Sequence, residues 1–297
     1  MNDFKIEISD GITIFKEYTG NDYTLALPDA YEGNAITCIG AKSFLSCKSV
    51  VELSLPAATA TIESWAFAHM RNLSRLTVPC NNITLGKEVF LDCNSLTAIN
   101  IIDDTSENPG TPFFLADAVI RLQNLSLFSP KLAGSFSQHQ EWMAQYDEAL
   151  YHFICQPDDA GFQPVFYGWF NDEDAELTQR PAYIKARQEN KIELLFTRLL
   201  YPKHLSDSHR AFFSEYITSK MSAVDSVDSI VWHLYCTKHL DDLRYLDVLL
   251  QTGCCTPDNI PYLIQDLKDK NPEVTAKLLN YQMEHLNTQD SFDEFEL

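Results

Sequence analysis

The chain has 297 residues, 45% of them hydrophobic, with only 10 glycines and 13 prolines, which suits one large or two ordinary folded domains and excludes a disordered or collagen-like chain. Its 42 acidic residues outnumber its 22 basic ones, leaving a net charge of −20 at pH 7. The acidic excess lies on both sides of Pro130, so a phosphate backbone or an anionic membrane surface is repelled at long range, and nucleic acid is not an expected partner.

The first residues, Met1-Asn2-Asp3-Phe4-Lys5-Ile6-Glu7, show no basic segment followed by an apolar one. No apolar run approaches the ~20 residues that span a bilayer. The expected location is therefore cytoplasmic, or extracellular if a leader has been removed.

A register of 23 residues follows, carried by Phe44, Phe67 and Phe90. The same step relates Cys47, Met70 and Cys93, as well as Val50, Leu73 and Leu96, and Ile39, Ile62 and Leu85. A fixed period of this size marks a solenoid, in which each coil buries its apolar residues against the next. Each coil leads into a short alternating segment: Glu52-Leu53-Ser54-Leu55, Arg75-Leu76-Thr77-Val78 and Ala98-Ile99-Asn100-Ile101. The alternation predicts strands with Leu53 and Leu55 inward and Glu52 and Ser54 outward. Pro56 and Pro79 stand at the strand ends, because proline cannot donate to a ladder. A fourth, degenerate coil is expected with Phe113 and Ala116 in register and a strand at Leu125-Ser126-Leu127. Two coils apart, Cys47 and Cys93 should lie on the order of 10 Å from each other, beyond the ~7 Å limit for a disulfide, so the eight scattered cysteines read as reduced thiols.

The residues Gly40, Phe44, Cys47, Leu53 and Pro56, with their equivalents 23 and 46 positions on, resemble the bacterial leucine-rich repeat of the BspA-like (Treponema pallidum) type. Glu63 in place of the glycine, Trp65, and Met70 in place of the cysteine depart from that pattern. The resemblance implies an N-terminal hairpin-like cap over residues 1–37, here Gly11-Ile12-Thr13-Ile14, Leu25-Ala26-Leu27-Pro28 and Glu32-Gly33-Asn34. It implies repeats over residues 38–130, three clear coils and one degenerate. The fold class expected is α+β, a short β-solenoid of parallel strands followed by an α-helical domain over 131–297.

In that second half, helices are predicted over 135–155, from Pro181 to the residue before Pro202, after Ser206, and over 227–238, 241–251, 257–269 and 272–286. Phe166, Tyr167, Trp169 and Phe170 form the densest aromatic cluster and read as the seam between solenoid and helices. His233, Cys236 and His239 are zinc-type ligands, but steps of three drift around a helix, and Trp232, Leu234 and Tyr235 suit a core helix better. Asp172, Glu173, Asp174 and Glu176 precede a helix, where acids favour its dipole and stay solvated. No phosphate loop, nucleophile elbow or zinc-protease helix occurs.

The expected function is a non-enzymatic protein–protein interaction or scaffold module, with an unknown protein partner, no cofactor and no metal. The candidate partner-binding residues are the outward strand positions Glu52, Ser54, Arg75, Thr77 and Asn100. Two alternatives stay open: an adhesin-like extracellular binder, as the resemblance allows, and an enzyme with its site in the helical half.

Overall fold

A computed structural model describes residues 3–102, 108–164, 172–221 and 227–286, with the backbone alone for 172–176. The chain divides into two compact units, Met1–Phe153 and Ile154–Leu297.

The first unit opens with a hairpin, β1 (Phe4–Ser9) and β2 (Ile12–Tyr18). Asp10 and Gly11 both take positive φ, as a two-residue hairpin turn that matches the strand twist requires. β3 (Thr24–Ala26), β4 (Ala30–Tyr31), β5 (Asn34–Ile39), β6 (Glu52–Ser54), β7 (Thr61–Ile62), β8 (Arg75–Pro79), β9 (Thr84–Leu85) and β10 (Ala98–Ile102) follow. One sheet runs β1-β2-β5-β7-β9, with β4 on β5, and the other runs β10-β8-β6-β3. All pairings after the β1–β2 and β4–β5 hairpins are parallel. Each coil therefore gives one strand to each sheet: β2 and β3, β5 and β6, β7 and β8, β9 and β10.

Residues 12–26 thus form a coil of their own ahead of the three that the 23-residue period reveals. The β4–β5 hairpin inserts extra residues after it and breaks the period. The solenoid interior is a column of rings. Phe15, Phe44, Phe67 and Phe90 stack with centroids 5.2, 5.8 and 5.7 Å apart. All four are at most 5% exposed, and such pairs add about 0.5–1.5 kcal/mol each beyond area burial.

Each coil turns between its two strands, and in the second and third coils the turn is bonded along its length to the next coil. The N–H groups of Lys42, Phe44 and Ser46 donate to Ser64 O, Ala66 O and Ala68 O, and those of Trp65, Phe67 and His69 donate to Lys87 O, Val89 O and Leu91 O. Two rows of residues in these turns have left-handed φ near 50–60°, namely Lys42, Trp65 and Glu88, and Ser46, His69 and Asp92. None is glycine, so the conformation costs something at each position and is held by the bonds to the neighbouring coil. Gly86 meets a different constraint: a Cβ there would lie 2.3 Å from Ser64 N. Glu63, where a glycine was expected, accepts a hydrogen bond from Ala41 N at 2.7 Å.

The expected fourth repeat is replaced. Residues 111–120 are a helix, α1 (Thr111–Ile120), and Leu125–Leu127 is a 3-10 turn rather than a strand. Phe114, Leu115, Ala118 and Val119 bury one side of α1, whereas Phe113 is 37% exposed. The apolar spacing that mimicked a coil is a helix face. Phe128 extends the ring column, 5.8 Å from Phe90. A short helix, α2 (Pro130–Ala133), and α3 (His139–Cys155) complete this part. His139 Nδ1 lies 2.6 Å from Ala133 O, which makes it the donor and leaves Nε2 to accept from the buried Asn108 amide at 3.0 Å.

The second unit holds α4 (Asp172–Leu200), α5 (Asp207–Met221), α6 (Ile230–Leu234), α7 (Leu243–Thr252), α8 (Ile260–Leu267) and α9 (Pro272–Tyr281). α4 starts nine residues before Pro181, the expected first residue, and carries that proline inside. The acids at 172–176 suit the positive end of the helix, and the interior proline costs it the bond to the Leu177 carbonyl together with a clash of the ring against that carbonyl. Ser206 Oγ accepts from His209 N, Asn271 caps α9, and Gly253 with φ 75° stops α7, all where the turn chemistry of the sequence places them.

Phe67→Ala should empty a slot between two rings and cost about 3–5 kcal/mol, read as a lower urea midpoint at unchanged slope. Gly86→Ala should cost about 1–3 kcal/mol by overpacking against the Ser64 backbone, while the change Leu45→Ala at an exposed position of a turn two coils earlier should cost under about 1 kcal/mol.

Candidate interaction surface

Strand alternation fixes which side chains leave the four-stranded sheet. Leu53, Leu55, Leu76 and Val78 are at most 3% exposed and face the core. Their alternates form two rows. Parallel register aligns Thr24, Glu52, Arg75 and Ala98 in one row, and Ala26, Ser54, Thr77 and Asn100 in the other. Five of these eight positions, Glu52, Ser54, Arg75, Thr77 and Asn100, are the expected candidates. Thr24 and Ala26 join them, and their signal in the sequence is Leu25-Ala26-Leu27-Pro28, which repeats the pattern of Leu53-Ser54-Leu55-Pro56.

In the first row Arg75 Nη1 lies 3.5 Å from Glu52 Oε1 across adjacent strands. The two side chains are 54% and 40% exposed, so the pair is solvated and contributes little to stability. Ala98 is 8% exposed and offers no side-chain polarity. The second row presents the Ser54 and Thr77 hydroxyls and the Asn100 amide, all half-buried. The surface is a small, nearly neutral strip in which an ion pair flanks a line of hydrogen-bonding groups.

The turn edge of the solenoid carries a second set of side-chain rows. Lys42 Nζ sits 5.0 Å from the Trp65 ring, and Trp65 Nε1 donates to Glu88 Oε2 at 2.5 Å. His69 Nδ1 is 2.9 Å and Arg71 Nη2 3.4 Å from Asp92 Oδ2. Each of these links residues one coil apart and was not foreseen, because the partners are 23 or 21 positions apart in sequence.

The other named residues are dispersed. Phe166, Tyr167, Trp169 and Phe170 lie outside the described residues, and of Asp172, Glu173, Asp174 and Glu176 only the backbone is described. His233 is exposed, and Cys236 is half-buried. His239 stacks on Tyr245 at 3.8 Å and places Nε2 2.9 Å from Glu193 Oε2. Among the described residues no group of three or more His, Cys, Asp or Glu is placed to hold a metal ion. None of their helices is long and apolar enough to cross a membrane.

A dense charge cluster lies in the second unit. Lys191, whose side chain is 2% exposed, donates to Asp158 Oδ1 and Gln156 O at 2.6 Å each. Gln188 donates to Asp158 Oδ2 at 2.7 Å, and Lys220 lies 3.6 Å from the same oxygen. Burial alone would raise the Asp158 carboxyl. The bonds from Lys191 and Gln188 and the charges of Lys191 and Lys220 together outweigh it and hold the group below the usual carboxylate range. Burial is also the main force on three thiols, pushing Cys38 up to about 11 and Cys93 and Cys236 up to about 12.

Residues 5–116 match the family model for the BspA type leucine rich repeat region, in six copies. The N-terminal part of the chain is a BspA-type leucine-rich repeat region. The repeat region begins well before the first coil that periodicity reveals, in agreement with the coil built by residues 12–26. Solved structures resemble it as well. A T. pallidum leucine rich repeat protein is 22% identical, with 34% of this chain and 49% of that chain covered and a TM-score of 0.30. A leucine rich cell surface protein of Faecalibacterium prausnitzii is 23% identical, with 34% and 29% covered and a TM-score of 0.31. A leucine-rich repeat protein of Bacteroides capillosus is 17% identical, with 34% and 96% covered and a TM-score of 0.26. The match thus spans about half the length of the T. pallidum protein. No curated protein matches the chain.

Two outcomes follow from the ionisations. Because the Asp158 carboxyl ionises at lower pH in the folded than in the unfolded chain, it stabilises the fold above about pH 3.9, and that contribution fades as pH falls through and below this value. Asp158→Asn should flatten the acid limb of stability, measured by urea unfolding between about pH 3 and 6. At about pH 8 the thiols of Cys38, Cys93 and Cys236 should be labelled at least tenfold more slowly in the native than in the unfolded chain, as read by mass spectrometry of each peptide.

Proposed function

We propose that the chain is a protein-interaction module, and that its partner binds across the outward face of the four-stranded sheet. The observation that carries this reading is the two-row ladder. Solenoid register holds Glu52 beside Arg75 and lines up Ser54, Thr77 and Asn100 on rigid strands, without a fold requirement for those side chains. A rigid strip with one ion pair and three hydrogen-bonding groups selects a partner by matching charge and polarity.

Size sets a limit. Four strands at ~4.8 Å give a strip about 15–20 Å wide, offering on the order of 300 Å² against the ~800 Å² per partner of a standard interface. The ladder supplies specificity, and a stable complex needs further surface beside it. The acidic chain, with its net charge of −20, favours a basic partner.

Affinity capture from the native cell provides the test. Arg75→Glu places two acids side by side and should lower partner recovery at least tenfold, an effect of about 1.4 kcal/mol or more. The double exchange Glu52→Arg with Arg75→Glu keeps an ion pair but reverses its direction, and should not restore recovery. Unchanged recovery with both variants would remove the ladder as the binding face.

A further inference from the structure

The inter-coil bonds of the turn edge have a direction. At the two junctions among the last three coils the turn of one coil donates N–H groups at alternate residues to carbonyls of the next: 42, 44 and 46 to 64, 66 and 68, then 65, 67 and 69 to 87, 89 and 91. The same row on the last coil is Glu88, Phe90 and Asp92. Among the described residues no acceptor meets any of these three N–H groups. Phe90 is 5% exposed, so its N–H sits in a largely dry environment, where an unmet donor is costly. Alongside this row runs a groove of about 340 Å³, walled on its far side by Val119, Ile120 and Leu125.

We infer that this groove is a docking site for a short basic, glycine- or serine-rich segment of a partner protein, which supplies the carbonyl row of the missing coil. Three features define the occupant. It must present carbonyls at alternate residues, as residues 64–68 and 87–91 do. Its inward side chains must be small, because Phe128 already fills the aromatic slot beyond Phe90. The equivalent turns also use left-handed φ at Lys42, Trp65 and Glu88, a conformation glycine adopts at least cost. The third feature is charge. The side-chain row Lys42, Trp65, Glu88 is linked coil to coil and ends on the exposed Glu88 carboxylate. The next member of that row should be a lysine or arginine. This is strand-addition recognition, with main-chain bonds giving affinity and flanking side chains giving selectivity. A second copy of this chain is the less favoured occupant, since a net charge of −20 opposes self-association. The site is distinct from the outward sheet face.

The probe is a fluorescein-labelled peptide, lysine–serine–glycine–alanine–glycine–serine–lysine, with a control in which both lysines are glutamate. Amide hydrogen exchange by NMR reads the site directly. In the chain without peptide, Glu88, Phe90 and Asp92 should exchange faster than Trp65, Phe67 and His69. With the lysine peptide at about 1 mM, a concentration suited to weak peptide docking, the three amides should slow at least tenfold, and with the glutamate peptide they should not. Glu88→Lys should weaken anisotropy-measured binding at least tenfold while the amides of residues 65, 67 and 69 stay protected, which shows that the coils remain folded. Arg75→Glu should leave peptide binding unchanged, which separates this site from the ladder. Unaltered exchange at the three amides, or equal binding of both peptides, would overturn the inference. So would protection that grows with protein concentration alone and tracks oligomers in sedimentation, because the occupant would then be a second copy.

Discussion

The coil-to-coil hydrogen bond at the turn edge is the constraint on which the first unit depends. It fixes the translation between coils, and the rings of Phe15, Phe44, Phe67 and Phe90 fall 5.2–5.8 Å apart as a result. With that translation set, strands of three to five residues pair in parallel without slippage. Outward residues such as Glu52 and Arg75 are then neighbours by register, not by chance. The same bond is polar along the stack. The turn row therefore ends in N–H groups on the last coil, and the two ends of the array are finished by different means. The β1–β2 hairpin finishes one, and α1 with Phe128 finishes the core of the other.

How much of this was legible in the sequence follows from which forces leave a periodic trace. Burial does, so Phe44, Phe67 and Phe90 revealed three coils and the inward and outward faces of their strands. The coil of residues 12–26 was hidden because the β4–β5 hairpin shifts its partners out of register. The false fourth repeat arose because a helix face and a coil can share the same few apolar spacings. Pro181 was misleading because a first-position preference is only a preference, and the acids before it extend α4 backwards. The ladder residues could be named from alternation alone. The donor row of Glu88, Phe90 and Asp92 could not, since an unmet backbone group has no signature in side-chain identity.

The second unit is stabilised in another way. Lys191 and Glu193 are buried charges, and each is held by a specific set of partners: Asp158 and Gln156 O for the lysine, and His239 and Lys238 for the glutamate. Breaking one partner of such a set strands the other charge in a dry environment, which costs more than the intact pair contributes. Removing one member of either set should therefore cost more than removing one member of an exposed pair such as Glu52 and Arg75.

The left-handed rows at Lys42, Trp65 and Glu88 and at Ser46, His69 and Asp92 reach further than local strain. A turn built from residues that disfavour its own geometry exists only while a neighbour holds it. A lone coil would lose its shape, and a half-formed coil has nothing to lean on. Change in the length of such an array, whether over evolution or by design, is therefore quantised in whole coils, and an insertion of a few residues is tolerated between turns and not within them.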